Sequence, residues 1–251
     1  MSSTSTNVHV LVIDYRGFGT STGRPSEAGL LTDGLTLAKF AMGKGGIPPE
    51  RIVVFGQSMG TAVAVSVRHH YALQSPPVLF AGTVLVAAFA DVESLTRTYK
   101  VAGTIPLLSP VAYFPRLLSF FNHFIRTKFP SKTKLGESIR RLDSIEVKDR
   151  RRKYDITFLH AQNDYDIPWS HSAVLFWHAV NATLDASSSL TFEQLENMKA
   201  KDKISLGDGG WEMMWQGKGG VIREQIIKHG ESLLIQSAYT CTDHHNLFRA
   251  T

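Results

Sequence analysis

The sequence predicts an α/β fold, a mostly parallel sheet flanked by helices, and three observations support it. Short apolar runs alternate along the chain with segments of helical periodicity. The runs are apolar at nearly every position, as in strands buried on both faces. One run leads directly into a serine flanked by glycines, with a helix-like segment after it. At 251 residues the chain has the length of one domain with a sizeable core, and we predict a single domain over 1–251.

Five apolar runs supply the predicted strands. They cover residues 8–14, 51–56, 82–89 and 154–160, and a fifth strand lies within 221–239. Parallel strands need long crossover connections, so the helix-like segments between the runs favour parallel neighbours.

Helices are predicted on either side of the second run. Residues 27–42 place apolar side chains every three to four positions, and the glycines from Gly43 to Gly46 end this helix. Residues 61–73 contain valines that alternate as in a strand. The length of that segment and its position after the second run nevertheless favour a buried helix.

Two segments interrupt the alternation. Residues 91–152 are rich in aromatic side chains and end in a basic run, which indicates a helical cap inserted over an active site. A helical insertion that only covers the core, with no role in an active site, fits the same pattern equally well. Residues 186–220 are polar and rich in glycine, and we predict a loop insertion there.

The composition limits the classes of function. The formal net charge of +5 predicts mild attraction to anionic surfaces such as phospholipid headgroups. The basic residues do not form a stripe interleaved with aromatic residues, which argues against nucleic acid as a partner. A single cysteine, Cys241, excludes an internal disulfide and fits a reducing compartment. The sequence has neither a signal-peptide pattern nor an apolar run of about 18 residues that would span a bilayer.

The segment Gly56-Gln57-Ser58-Met59-Gly60 has the G-x-S-x-G pattern between a predicted strand and a predicted helix. Such a turn lifts the serine hydroxyl clear of the sheet. Gly56 and Gly60 are expected to be small because the strand and the helix approach closely. Met59 is expected to offer its backbone N–H to an oxyanion at the start of the helix. The sequence therefore predicts Ser58 as the nucleophile of an α/β-hydrolase fold.

A serine nucleophile needs a base, and an imidazole base needs a carboxylate that fixes its tautomer. Asp164 and Asp166 follow the fourth strand, at the edge where active sites form in such sheets. Either of them would also suit the cap of the next helix. His244 and His245 come late in the chain, in the order Ser, Asp, His that this fold requires. The sequence contains no metal-ligand spacing, so we expect neither a metal nor another cofactor.

Four motifs together resemble a known family. In chain order they are DYRGFGTSTGRPSEAG, FGQSMGTAVA, FLHAQNDYDIP and DHHNLF. Their order is similar to that of the α/β-hydrolase-domain serine lipases that act on monoacylglycerol and lysophosphatidylserine, and especially to the fungal members. The resemblance runs from about residue 8 to about residue 180 and resumes around His245.

The resemblance implies a Ser58, Asp164 and His245 triad. The family pattern H-[GA]-x-x-D-x-x-[VI]-P fits with Asp164 as the acid, and the family's base is usually followed by Asn or Lys, as His245 is. Asp166 and His244 are the alternates. The family's substrates imply a lipid or a small ester as partner, with peripheral membrane contact through the cap. The cap aromatics that would hold an acyl chain are Phe114, Phe120, Phe121 and Phe124.

The chain also departs from the family pattern. Family members have several strands before the D-Y-R-G strand, and an H-G-x-x-G loop that gives the second oxyanion N–H. Here the D-Y-R-G strand begins within the first dozen residues, and the sequence stops six residues after His245. We therefore expect a relative shortened at both ends, with an incomplete N-terminal part of the sheet and one visible oxyanion donor. The apolar strand at 8–14 would then have an unpaired edge that promotes self-association.

Other functions stay open at this point. A peptidase or a thioesterase would use the same triad, and a catalytically weak paralogue acting as a binding module would keep the same fold. A dinucleotide site is excluded because Gly17, Gly19 and Gly23 lack the G-x-G-x-x-G spacing. The sequence does not set the oligomeric state or the compartment.

Overall fold

The computed structural model describes residues 8–91, 100–101, 105–106, 129–145 and 152–230. The helices of this part are α1 (Glu27–Gly43), α2 (Met59–Ala72), α3 (Ser131–Asp143), α4 (Ser170–Ala182) and α5 (Phe192–Asp202). Its strands are β1 (Val53–Gln57), β2 (Gly82–Val86), β3 (Lys100–Val101), β4 (Ile105–Pro106), β5 (Tyr154–Ala161), β6 (Ile204–Gly207), β7 (Gly210–Gln216) and β8 (Gly220–Ile227). Two short 3-10 turns lie at Pro49–Arg51 and Ala186–Ser188.

Six strands form one mixed sheet in the order β1-β2-β5-β8-β7-β6. The first four of that order are parallel, and β7 and β6 extend the sheet in antiparallel fashion. Strands β3 and β4 pair separately. Because parallel strands point the same way, the carboxyl ends of β1, β2, β5 and β8 lie along one edge of the sheet. Functional side chains of open α/β sheets gather at such an edge.

The burial of each strand follows from its place in the sheet. All eight residues of β5 and all five of β2 are buried, which explains why their sequences are apolar at almost every position. Among the described strands, β1 lies at the edge of the sheet, and its Phe55 side chain is exposed.

The main core lies between the sheet and helices α2, α3 and α4. The largest fully buried side chains of this core are Leu85, Leu135, Ile139, Ile156, Phe158, Leu175, Phe176, Leu195 and Ile222. Burial of such apolar side chains is the largest favourable contribution to folding. A second cluster joins α1 to α2 around Leu30, Val63, Val67 and Tyr71.

These elements confirm the predicted fold class and four of the five predicted strands. The strands predicted at 51–56, 82–89 and 154–160 correspond to β1, β2 and β5, and the fifth corresponds to β8. The helices predicted at 27–42 and 61–73 are α1 and α2. Of the predicted cap at 91–152, the described residues include α3 and the β3–β4 pair.

The strand predicted at 8–14 is wrong. Residues 8–15 form no regular secondary structure, and the side chains of Val10 and Val12 are 83% and 77% exposed. A strand exists only through hydrogen bonds to a neighbour. The only sheet partner of β1 among the described residues is β2, so the apolar pattern of 8–14 has no ladder to join.

The loop predicted at 186–220 is also wrong, because this segment holds α5, β6 and β7. Thr191 begins α5 with a capping box that also uses Gln194. The buried Lys199 ammonium on α5 lies 2.5 Å from the fully buried Glu224 carboxylate on β8. The loop was predicted partly because of glycines that lie at the β6–β7 turn. Gly207 and Gly209 have positive φ there, a conformation that glycine adopts readily.

In the part of the chain that the structure describes, no helix is long and apolar enough to cross a membrane.

Candidate active site

The turn at residues 56–60, here called the elbow, joins β1 to α2 and carries Ser58. Ser58 has φ 50° and ψ −122°, a conformation that L-residues rarely adopt and that persists only where the surroundings enforce it. The Ser58 backbone N–H donates to the Val86 carbonyl oxygen at 2.9 Å, which ties the turn to β2. The residue is exposed, so its hydroxyl is open to a substrate.

The two elbow glycines differ in how strongly they are needed. A Cβ on Gly56 would collide with the Gly60 carbonyl oxygen and would lie 2.9 Å from the Ala64 Cβ. A Cβ on Gly60 would meet, among the described residues, the Tyr15 hydroxyl at 3.9 Å, which is an ordinary contact. The close approach of strand and helix therefore requires glycine at position 56, whereas position 60 contributes the backbone that Gly56 faces.

Met59 is the first residue of α2. The backbone N–H groups in the first turn of a helix have no acceptor within the helix, and they lie at its positive end. The Met59 N–H is therefore suited to an anion that forms next to Ser58.

The turn at residues 161–168, here called the acid turn, follows β5 and carries Asp164. The Asp164 Oδ1 atom accepts hydrogen bonds from the backbone N–H groups of Asp166 at 3.1 Å and Ile167 at 2.9 Å. Burial raises the pKa of the Asp164 carboxyl. The hydrogen bonds from His160, Ile167 and Asp166 outweigh that effect, so the pKa lies below its ordinary value. Asp164 is thus held ionised in one orientation.

His160, which sequence reasoning missed, supports the acid turn from inside. Its ring is fully buried, and its Nε2–H donates to the Ile167 carbonyl oxygen at 2.8 Å. The same nitrogen lies 3.5 Å from Asp164 Oδ2. Nδ1 is hydrogen-bonded to the Ser172 hydroxyl at 2.7 Å on α4. The available signal was a polar residue inside an apolar strand, four positions before the predicted acid.

The helix after the acid turn is not capped by either aspartate. Helix α4 has Trp169 at its N-cap position, with no capping side chain. Asp164 accepts instead from the backbone of its own turn, and Asp166 is exposed. The two candidates thus differ in burial, since Asp164 is partly buried and Asp166 is exposed.

Ser58 and Asp164 occupy the same edge of the sheet. Strand β2 alone separates β1 from β5, and the residues Gln57, Val86 and Leu159 lie level with one another. Two strand spacings amount to roughly 9.6 Å.

The predicted bases, His244 and His245, lie outside the described residues, as do the cap residues Phe114, Phe120, Phe121 and Phe124. The last described residue before the two histidines is Gly230. Its backbone N–H donates to Asn163 Oδ1 at 2.7 Å, next to Asp164. Gly230, the last described residue, therefore lies beside the acid turn. Within the described part of the chain, no group of three His, Cys, Asp or Glu side chains is arranged to hold a metal ion.

Several known proteins are similar to parts of this chain. The Alpha/beta hydrolase family matches residues 2–210, a stretch that contains Ser58 and Asp164 and ends before the two histidines. Protein ABHD12B of Homo sapiens is 30% identical over 177 residues, covering 69% of this chain and 42% of that protein. Alpha/beta hydrolase domain-containing protein aho-3 of Caenorhabditis elegans is 33% identical over 115 residues, 39% of this chain and 35% of that protein. Protein bem46 of Schizosaccharomyces pombe is 48% identical over 60 residues, 24% of this chain and 20% of that protein. The matched stretches span less than half the length of these relatives.

Proposed function

The chain belongs to the alpha/beta hydrolase family, and on that premise we propose that it is a serine hydrolase that cleaves carboxylic esters of lipid-like substrates. The observation that carries the proposal is the conformation of Ser58. The serine is exposed, has a positive φ, and stands at the carboxyl end of a parallel strand directly before a helix. Backbone strain of this kind is kept where function needs it, which favours an enzyme over a binding module.

The reaction proceeds through an acyl-enzyme. The Ser58 hydroxyl oxygen attacks the ester carbonyl carbon while its proton passes to the imidazole base. The carbonyl oxygen becomes an oxyanion next to the Met59 N–H. The tetrahedral intermediate then expels the alcohol, which takes the proton from the imidazolium. Water repeats these steps on the acyl-enzyme, releases the carboxylic acid and restores Ser58.

Asp164 is the proposed orienting carboxylate, and His245 is the proposed base, with His244 as its alternate. The Oδ1 atom of Asp164 is occupied by two backbone N–H groups. The Oδ2 atom is left to receive the Nδ1–H of an imidazole, beside the longer contact from His160. Replacing His245 with alanine should remove turnover, whereas His244→Ala should retain it.

A lipid or small ester is the proposed substrate. The support is the family resemblance, the formal net charge of +5 and the aromatic composition of the predicted cap. We propose that Phe114, Phe120, Phe121 and Phe124 bind the acyl chain and that the cap contacts the membrane surface. Burial of each CH₂ group contributes about 0.8 kcal/mol, so Phe120→Ser with Phe121→Ser should weaken hydrolysis of long acyl esters more than of short ones.

A fluorophosphonate probe tests the reaction class, because it labels an activated serine whatever the natural substrate. Labelling of the wild-type chain should be lost in Ser58→Ala. Ser188→Ala is the matched control, since Ser188 is exposed in a 3-10 turn with φ not in the positive region, and it should label like wild type. Equal labelling of wild type and Ser58→Ala would overturn the assignment of the nucleophile. Hydrolysis of acyl amides or thioesters in preference to esters would keep the nucleophile and change the substrate class.

A further inference from the structure

A small cavity lies at the amino ends of two parallel strands. Gly82 and Thr83 begin β2, Tyr154 and Asp155 begin β5, and all four residues line the cavity. Because β2 and β5 are parallel, this end of the sheet is opposite to the edge that carries the elbow and the acid turn. The volume of the cavity is about 10 Å³, which is room for one species the size of a water molecule.

Arg68, on α2, lines this cavity with a buried guanidinium group. The residue is only 5% exposed, and its Nε and Nη2 atoms have no hydrogen-bond partner among the described residues. Nε and Nη2 share one edge of the planar guanidinium, so their N–H bonds point to the same side. One acceptor placed at that edge can therefore bind both donors. Without an acceptor, two buried donors of a charged group stay unpaired, which is unfavourable.

The guanidinium of Arg68 is positively charged at neutral pH. Burial lowers its pKa to about 10, and the charges of Tyr154, Asp143 and Asp155 partly oppose that effect. The guanidinium carbon lies 5.6 Å from the centre of the Tyr154 ring, which is a cation–π contact. The carboxylates of Asp143 and Asp155 attract the guanidinium, but neither accepts a hydrogen bond from Nε or Nη2. The cavity thus faces a cation that no described carboxylate binds along this edge.

The carboxylates near the cavity are occupied by other groups. Asp155 forms ion pairs with Arg223 and, at 3.4 Å, with Arg152. Burial raises the pKa of Asp143, which weakens its negative charge, and the ammonium group of Lys153 acts in the opposite direction. Lys153 also lines the cavity. Cationic side chains around the cavity therefore outnumber the carboxylates, and the local charge favours an anion.

An anion suits the cavity better than a water molecule does. Water would accept from the guanidinium edge but would then need acceptors for its own two hydrogens. Much of the remaining lining is apolar, and the Asp155 carboxylate is already paired with two arginines. An anion needs only donors and offsets the buried positive charge. The size of the cavity favours a monatomic anion over a polyatomic one such as sulfate or phosphate.

We propose that this cavity binds a single halide ion, chloride in ordinary solution, through Nε and Nη2 of Arg68. The ion would join α2 to the amino ends of β2 and β5. The site lies at the end of the sheet opposite to Ser58, and the inference does not rest on the assignment of the nucleophile.

Thermal unfolding of the full chain tests the proposal in solution. Melting temperatures are compared in sodium chloride, sodium bromide and sodium gluconate at equal ionic strength. At a roughly tenfold excess of halide over its dissociation constant, the melting temperature should be about 3–5 °C higher than in gluconate and should then saturate. Arg68→Met should abolish this difference, because it removes both donors and keeps an apolar side chain. Arg51→Met is the matched control, since it removes the same charge from an exposed position, and it should keep the difference.

Diffraction from crystals soaked in sodium bromide locates the ion directly and does not depend on how well Arg68→Met folds. An anomalous peak within hydrogen-bond distance of Arg68 Nε and Nη2 is expected. A water molecule there with no anomalous signal would overturn the proposal. So would an equal halide effect in wild type and Arg68→Met, which would place the binding elsewhere. A bromide peak with no halide effect on the wild-type melting temperature would be binding at crystal concentration only, and it would also overturn the proposal.

Discussion

The elbow and the acid turn lie at the same edge of the sheet, separated by one strand, and different forces hold them. Backbone contact shapes the elbow, where Gly56 lies against the Gly60 carbonyl and leaves no room for a side chain. Side-chain hydrogen bonds shape the acid turn, where Asp164 binds the backbone of its own loop and His160 links that loop to α4. Steric exclusion acts at one place and polar pairing at the other.

This difference predicts how each region responds to change. A steric turn tolerates any substitution that adds no volume at its contact point, and it is insensitive to pH. A hydrogen-bonded turn depends on every donor and acceptor in its network, because a buried group left without its partner costs about 1–3 kcal/mol. Substitutions in the elbow and in the acid turn should therefore change stability and activity in different ways.

The largest effect is expected at the acid. Asp164→Asn keeps the shape of the side chain and removes the charge that orients the imidazole, so kcat should fall by about 10⁴-fold, as for loss of a triad carboxylate. Asp166→Asn is the control, since Asp166 is exposed, and it should cost about tenfold or less. Steady-state kinetics on a p-nitrophenyl ester measure both. The opposite ranking would transfer the role of acid to Asp166.

The elbow is probed with a pair of glycine substitutions. Gly56→Ala places a methyl group into the Gly60 carbonyl, so the turn must shift, and kcat/KM should fall about 100-fold with a loss of about 1–3 kcal/mol in the free energy of unfolding. Gly60→Ala meets an ordinary contact with Tyr15 and gains helix propensity, so its stability should stay equal or rise by up to about 1 kcal/mol. Equal stability losses in the two variants would show that both glycines are sterically required.

His160 tests whether the acid depends on its buried support. His160→Leu replaces the imidazole with an apolar side chain of similar size and removes its hydrogen bonds to the Ile167 carbonyl and the Ser172 hydroxyl. We expect kcat to fall about tenfold with KM unchanged, and the free energy of unfolding to fall by about 1–3 kcal/mol. Ser172→Ala, which removes the other half of one hydrogen bond, should show a smaller loss of stability and nearly wild-type kcat. Wild-type kcat in His160→Leu would mean that the backbone N–H groups alone hold Asp164.

The smallest expected effect is a dependence of stability on pH. The folded-state pKa of Asp164 lies below its ordinary value, so the unfolded chain binds more protons at this group. Asp164 therefore stabilises the fold above about pH 4, and that contribution is lost as the pH falls through the folded-state pKa. Chemical denaturation from pH 7 to pH 2 should show a shallower decline in Asp164→Asn than in wild type. Parallel curves would contradict the lowered pKa.

The sequence predicted the parts of the site that local patterns define. G-x-S-x-G gave the elbow, because its glycine is a steric requirement within five residues. The parallel strands were predictable because burial on both faces makes β2 and β5 apolar throughout. The assignment of Asp164 as the acid came from the resemblance to the family motif, through its distance to Pro168, and stays a prediction; the structure adds the hydrogen bonds that hold its carboxylate.

The wrong or missed predictions concern residues whose structure depends on contacts with partners distant in the sequence. Residues 8–14 have the composition of a strand, but strand formation depends on a neighbour that composition does not report. In 186–220 the glycines indicated a loop, whereas β7 is held by antiparallel pairing to β8. His160 was missed because its role is to connect β5 with α4 through Ser172, a contact between side chains that no local pattern indicates.

The antiparallel arrangement of β6, β7 and β8 has a consequence for the order of folding. Each of these strands pairs with its neighbour along the chain across a short turn, so the three can assemble through local contacts. The pairing of β8 with β5, by contrast, brings Gly220 level with Tyr154 and closes a much longer loop that contains α4 and α5. The three-stranded unit should therefore form first and then dock on β5.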